Sequence, residues 1–343
     1  NLPRGAGPQT IFLTLNYNRR ESYDSLWSVR DITPELALSQ RAYTVTSSQS
    51  VYAGFGIGRE LSKKLELSAD SRLSYNPYNT TATNLNTQTQ RGQAIGVSTN
   101  TVANLAYSIS GEQSISGKYK LDTLGSELTA DLSYNLVTRH TDQTLSTLFS
   151  LPQRAGLAAL GDLDNERHSG AFQLDLKYKL PHNITLESGL KSSLQRFESD
   201  VQYFDQEDQQ RIADLRRTNR YSFRENINAL YLQGSRPLGA YLLKMGARLE
   251  NTRMSGQQVI PTPSTFQIHR TDLFPYVYLS RKVAKIASYE LRGYLIGRRS
   301  LTRPVYEYLN PGIRVVDQFL YEIGNPSLKP QFTQTYEANI SFD

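Results

Sequence analysis

Apolar and polar residues alternate along most of this chain, and the alternation sets its predicted architecture. Ile11, Leu13, Leu15 and Tyr17 fall on one side of an extended segment over 9–20, with Thr14, Asn16 and Asn18 on the other. Successive side chains of a strand point to opposite faces, so each such run predicts a strand with one apolar and one polar face. The pattern recurs at 48–61, 65–77, 101–121, 127–139, 169–180, 184–204, 221–235, 240–254, 271–283 and 287–298, and again from 333. With a short extension at 24–30 this makes about thirteen strands. No segment carries a competing helical period.

The connections alternate in length. Tight turns are expected at 62–64, 122–125, 181–183, 237–239 and 284–286, whereas the polar stretches to about 47 and at 78–100 and 205–220, the segment 140–167 and the Pro-bearing 255–270 read as longer loops. The predicted strands, at roughly 12–20 residues, are longer than the mode of about 5–6 in soluble sheets. Long strands joined by short turns at one end and longer loops at the other predict an all-β, antiparallel transmembrane β-barrel. In lipid every backbone polar group must be paired, so such a sheet closes on itself. A soluble propeller, sandwich or β-helix would show shorter strands or a fixed repeat.

Composition fits this reading. The chain is 38% hydrophobic with mean hydropathy −0.50, yet it holds 22 Tyr and 12 Phe, too many aromatics for a disordered chain. It has no apolar run near the roughly 20 residues of a spanning helix, which excludes helical membrane proteins but not barrels. Cysteine is absent, so disulfides and thiolate metal sites are excluded. The net charge of +6 is spread along the chain as solvated charge, and no nucleic-acid partner is expected. Tyr17, Tyr75, Tyr134, Tyr178, Tyr231 and Tyr336 lie near strand ends, where they would form aromatic girdles at the two bilayer interfaces. Leu128, Leu132, Leu174, Leu176 and Ile340 are expected to face lipid, and Asp131, Asp175, Arg248 and Glu337 the lumen.

Candidate chemistry is sparse. His140, His168, His182 and His269 lack the spacing of paired metal ligands and read as solvated loop or turn residues. D-L-D-N-E-R at 162–167 and D-Q-E-D at 205–208 offer oxygen ligands but not the glycine and terminal Glu of an EF-hand, and read as flexible loops. There is no G-x-S-x-G and no phosphate-binding glycine loop, so neither an enzyme nor a cofactor is expected. The most distinctive stretch is 298–342. Pro304, Pro311, Pro326 and Pro330, with Gly312 and Gly324, exclude the interior of a paired strand. Residues 300–330 are therefore expected to form an ordered outside loop bordering a ligand vestibule. Arg298, Arg299, Arg303 and Arg314 could contact an anion or simply hold the loop, and Arg303, Tyr306, Tyr308, Arg314, Phe319 and Tyr321 are the vestibule candidates.

Several segments resemble one family. N-P-S-L-K-P-Q-F-T-Q-T-Y-E (325–337) is similar to the N-P-x-L-K-P motif of TonB-dependent outer-membrane receptors, and R-R-S-L-T-R-P-V-Y-E-Y-L-N-P (298–311) to the segment before it. Residues 119–134, 223–231, 246–252 and 272–275 resemble the TonB-dependent-receptor type of outer-membrane barrel common in Bacteroidetes. The resemblance implies a barrel of about 22 strands with an N-terminal plug. It also implies a bacterial outer-membrane location, contact with outer-membrane lipid, an extracellular ligand and uptake energised by a TonB complex. No plug, TonB box or signal peptide is seen, and the chain stops at Asp343, so it reads as an internal piece of a longer receptor. A structural or adhesive barrel without active transport is the alternative, and a plug encoded upstream would discriminate the two.

Overall fold

A computed structural model describes residues 9–207, 210–286, 289–317 and 319–342. Most of them belong to one antiparallel meander. Its strands are β1 (Gln9–Thr33), β2 (Leu36–Glu60), β3 (Leu65–Gln90), β4 (Gln93–Lys120), β5 (Glu127–Leu151), β6 (Gln153–Leu180), β7 (Ile184–Glu207) and β8 (Gln210–Ala213). There follow β9 (Asn219–Leu238), β10 (Tyr241–Ile260), β11 (Ser264–Ile286) and β12 (Tyr289–Thr302). A single turn of helix, α1 (Tyr306–Leu309), and a hairpin of β13 (Ile313–Asp317) and β14 (Leu320–Ile323) precede β15 (Gln331–Phe342). The main sheet has thirteen strands ordered β1 to β7, then β9 to β12 and β15, with β8 paired to β7. Its two ends, β1 and β15, are not paired with each other.

The expected turns at 62–64, 122–125, 181–183 and 237–239 do fall at one end of this meander, the near end, with the fourth displaced to 239–240. The segment 284–286 belongs to β11 instead, and the connection to β12 lies at 287–288, outside the described residues. The far end differs from expectation. The stretches at 21–47, 78–100, 140–167 and 255–270 are continuations of strands, which reach 28 residues in β4 and β6. The connections there shrink to short turns such as Arg91–Gly92, where φ values of 49° and 80° suit the mirror-image turn that matches strand twist.

Polar residues hold these extensions as strands because their side chains pair across the sheet. Arg30 Nη2 donates to Gln40 Oε1 (3.2 Å), Gln40 Nε2 to Asn86 Oδ1 (2.9 Å), Asn86 Nδ2 to Asn100 Oδ1 (3.0 Å) and Asn100 Nδ2 to Thr147 Oγ1 (2.8 Å). This head-to-tail chain crosses β1 to β5 on one face, and its last four members are buried. A second row links Asn104, Gln143 and Tyr203 on the same face.

The register keeps two faces distinct. Leu174, Leu190, Leu230, Leu249 and Leu273 are successive cross-strand partners from β6 to β11. One step along the same face the row reads Phe172, Ser192, Asn228, Asn251 and Thr271, so the apolar belt ends obliquely across the strands. That slope is what tilted barrel strands produce. The belt carries Leu128, Leu132, Leu174 and Leu176, and the opposite face carries Asp131 and Asp175. Arg248 and Glu337 share the latter face through the register of β10 to β15, with Ile340 on the belt side. Tyr17, Tyr75, Tyr134, Tyr178 and Tyr336 lie on the belt face. Tyr231 does not: the Leu190–Leu230–Leu249 row turns it to the charged face, where its hydroxyl donates to Asp175 Oδ1 at 2.7 Å.

Candidate functional site

The segment between β12 and β15 is the least regular part of the sheet. β11 and β12 pair only from Tyr276 and Arg298 toward the near end. Beyond that point β12 leaves β11 but stays paired with β15 as far as Thr302 and Gln331. Arg299 donates to the Leu273 carbonyl (3.3 Å) and lies, with Arg270, against the ring of Phe332. The two feet of 303–330 are thus adjacent, and the segment crosses the charged face as a strap.

Arg303 starts the strap by donating from Nη2 to Glu250 Oε2 (2.5 Å) and Thr252 Oγ1 (3.0 Å) on β10. Glu250 also accepts from Arg248 Nε at 2.6 Å, so one carboxylate holds two guanidinium groups. Pro304 lets the chain enter α1, whose one turn places Tyr306 and Leu309 on the wall. The Tyr306 ring packs 4.2 Å from Phe197 and 6.1 Å from Phe223, and Leu309 is 0% exposed in a cluster with Phe197, Tyr221, Phe223 and Met254. Burial pushes the Tyr306 hydroxyl above its ordinary range, with a smaller push from Glu307.

Two glycines shape the neck of the strap. A Cβ at Gly312 would lie 1.2 Å from Asn219 Nδ2, and one at Gly324 would lie 2.3 Å from the Asn310 carbonyl oxygen. Without those side chains Asn219 Nδ2 reaches Asn310 Oδ1 (3.2 Å), Gly324 N donates to the Asn310 carbonyl (2.9 Å) and Asn325 N to the Tyr308 carbonyl (2.7 Å). The described residues of the segment are folded, and its feet at Thr302 and Gln331 stand at the far end. The strap lies across the inner, charged face of β7, β9 and β10.

The six vestibule candidates therefore divide. Arg303 and Tyr306 are anchors against the wall. Tyr308 and Tyr321 are each 65% exposed, and Phe319 is half-buried at the β13–β14 turn. Arg314 pairs with Glu322 across that hairpin, at 3.0 Å through Nε. The four arginines singled out in the sequence do not converge. Arg298 pairs with Glu337, Arg299 with a carbonyl, Arg303 with Glu250 and Arg314 with Glu322, which is the loop-holding arrangement and not an anion pocket.

A second constellation lies on the belt face, nearer the far end than Tyr75 and Tyr134. Residues 162–167, expected as a flexible loop, belong to β6 and bring Asp162 and Asp164 opposite Asp142 and His140 of β5. His140 Nδ1 lies 2.8 Å from Asp164 Oδ1, and Nε2 lies 3.4 Å from Asp142 Oδ2. One ligand atom each from His140, Asp162 and Asp164 falls within 4.8 Å of the others, close enough to hold a metal ion. His140 is 22 and 24 positions from Asp162 and Asp164 in sequence, so only strand register brings it to them. The same holds for Asn219, Tyr221, Glu250 and Thr252, which carry the strap and were not singled out in the sequence.

The family model described as the outer membrane protein beta-barrel family matches residues 119–343. A search of curated proteins finds no match. Among solved structures, the unliganded ferric citrate transporter FecA aligns at 9% identity and TM-score 0.45, covering 95% of this chain and 48% of that one. BauA, the ferric preacinetobactin receptor from Acinetobacter baumannii, aligns at 10% identity and TM-score 0.44, covering 97% and 52%. The translocator domain of the autotransporter NalP from Neisseria meningitidis gives 10% identity and TM-score 0.27, covering 86% and 83%. The chain spans about half the length of the first two. With its long antiparallel strands, its apolar belt and a family match over most of its length, the chain belongs to the outer membrane protein β-barrel family.

Proposed function

We propose that this chain is wall and strap of an outer-membrane receptor that takes up a nutrient with energy supplied by a TonB complex. In this reading the far end faces outside, further strands join β1 to β15, and a plug fills the lumen. The observation that carries the proposal is the strap. A segment of this length is folded against the charged inner face, anchored by Arg303 and Tyr306, and returns to the wall through the N-P-S-L-K-P run before β15. The polar, charged inner face supports a wet lumen. Ligand contact falls to the exposed Tyr308 and Tyr321 and the half-buried Phe319, with Arg303 and Tyr306 holding the strap.

The test is genetic. Strains lacking the full-length gene, or lacking the TonB energiser, are compared on panels of sole iron, cobalamin and carbon sources. Both deletions should lose growth on the same source. Loss of envelope integrity in the first strain, with no shared nutrient defect, would leave a structural barrel in its place.

A further inference from the structure

Under the strap the wall carries buried polar atoms that no group among the described residues pairs. They are Tyr221 Oη, Gln258 Oε1 and Asn219 Oδ1, on residues 1%, 6% and 5% exposed. Tyr221 and Gln258 are direct cross-strand partners of β9 and β10, and Asn219 is two positions from Tyr221 on the same face. The strap covers this patch with the wrong chemistry. Leu309 and Tyr306 match the rings of Phe197 and Phe223, but Asn310 Oδ1, which also accepts from Gly312 N, takes the amide nitrogen of Asn219 and leaves the Asn219 oxygen unmatched. Burying polar groups unpaired is costly, whereas the same groups facing water are satisfied. Apolar packing and the Arg303–Glu250 pair thus favour the covered state, and the polar patch opposes it.

The strap is also built to move as a unit. Its feet are adjacent at Thr302 and Gln331, its neck is closed by its own backbone hydrogen bonds, and β13–β14 pair only with each other. Lifting it would break no strand pair of the wall.

We propose that 303–330 is a displaceable lid, alternating between the seated position and a released one that uncovers Phe197, Tyr221 and Phe223. Release opens an aromatic surface edged by hydrogen-bonding groups within the lumen. The proposal concerns the strap alone and holds whatever the barrel transports.

This chain has no cysteine, so introduced ones are the unique labels within it, and any cysteine elsewhere in the full-length protein is first replaced by serine. Spin labels at Tyr308→Cys and Asp131→Cys, in the full-length protein reconstituted in lipid nanodiscs, report the distance from the strap to the inner face of β5. Two distance populations are expected. Arg303→Ala should raise the released fraction several-fold, and Tyr221→Phe combined with Gln258→Leu, which keeps the bulk and removes two of the three unpaired atoms along with the Gln258 Nε2 bond to the Thr262 carbonyl, should lower it several-fold. Native-state hydrogen exchange at the Gly324 and Asn325 amides, with Tyr276–Tyr278 as wall reference, needs no substitution. The strap amides should also keep their neck protection while the label distance changes, as a rigid lid requires. A single distance population unmoved by either variant would overturn the proposal, as would strap opening that occurs only together with exchange of the wall.

Discussion

The side-chain amide of Asn86 donates to Oδ1 of Asn100 at 3.0 Å, and both residues are almost fully buried although they stand on neighbouring strands far beyond the apolar belt. Asn86 also accepts from Gln40, so it is the middle link of a chain that runs from Arg30 to Thr147. Replacing it removes a partner from each side. Asn86→Ala is expected to destabilise the far end by about 1–3 kcal/mol for each buried group left unpaired. Local hydrogen exchange across 80–104 should rise, with exchange near Leu132 unchanged.

The two faces make a second expectation. Leu132 lies central to the apolar belt of β5, and Asp131 is its neighbour on the opposite face. Leu132→Lys should cost roughly 2–4 kcal/mol of folding stability in vesicles, the penalty for a charge at the bilayer midplane. Asp131→Lys should cost far less. Spin labels at Leu128, Leu174 and Ile340 should be accessible to oxygen, and those at Asp131, Asp175 and Glu337 to a water-soluble relaxant. Water access at the leucine set would reverse the assignment.

Asp214 gives a pH dependence. It caps the turn before β9, accepting at Oδ1 from Arg216 N (2.9 Å) and Arg217 N, with the Arg217 guanidinium on its other oxygen. Burial raises its carboxyl, but Arg217 and the two backbone donors outweigh burial and hold it below the usual carboxylate range. A group depressed on folding contributes stability that is present above its unfolded value, near 3.9, and is lost as pH falls through the lower folded value. Exchange of the Thr218 amide, which donates to the Asp214 carbonyl, should therefore be slow at neutral pH and accelerate below about pH 4 beyond the intrinsic trend. Asp214→Asn should abolish that acceleration.

The acidic row on the belt face predicts a gain. Asp142 and Asp162 are direct cross-strand partners with no Lys or Arg paired to either among the described residues. Like charges facing one another on a sheet destabilise it by about 0.2–1 kcal/mol. Asp162→Asn should accordingly stabilise the barrel in metal-free, low-salt buffer, and the gain should shrink as salt screens the pair. If added Ca²⁺ or Mn²⁺ stabilises the native protein but not this variant, His140, Asp162 and Asp164 hold the ion.

The sequence by itself determined the class of structure. Period-two alternation in β1, β5, β6 and β15 fixes which residues share a face, because a strand has no other way to place them. The near-end turns were also legible, since Asp122–Gly125 and Pro181–Asn183 carry turn chemistry; Gly125 and Asn183 adopt positive φ. The far end was not legible. The stretch 78–100 is largely polar and 140–167 scatters leucines without a clean alternation, and both read as loop until a neighbouring strand supplies partners such as Asn86 for Gln40 and Asn100. Tyr231 was misplaced for a related reason: alternation gives two sets of residues, but only pairing with Leu190 and Leu249 through Leu230 says which set meets lipid. The strap shows the same division. Prolines and aromatics in 300–330 marked it as an ordered break in the sheet. That it folds over the inner wall was decided by contacts some fifty to a hundred residues away in sequence, Arg303 with Glu250 and Asn310 with Asn219, and no local pattern can encode a partner at that separation.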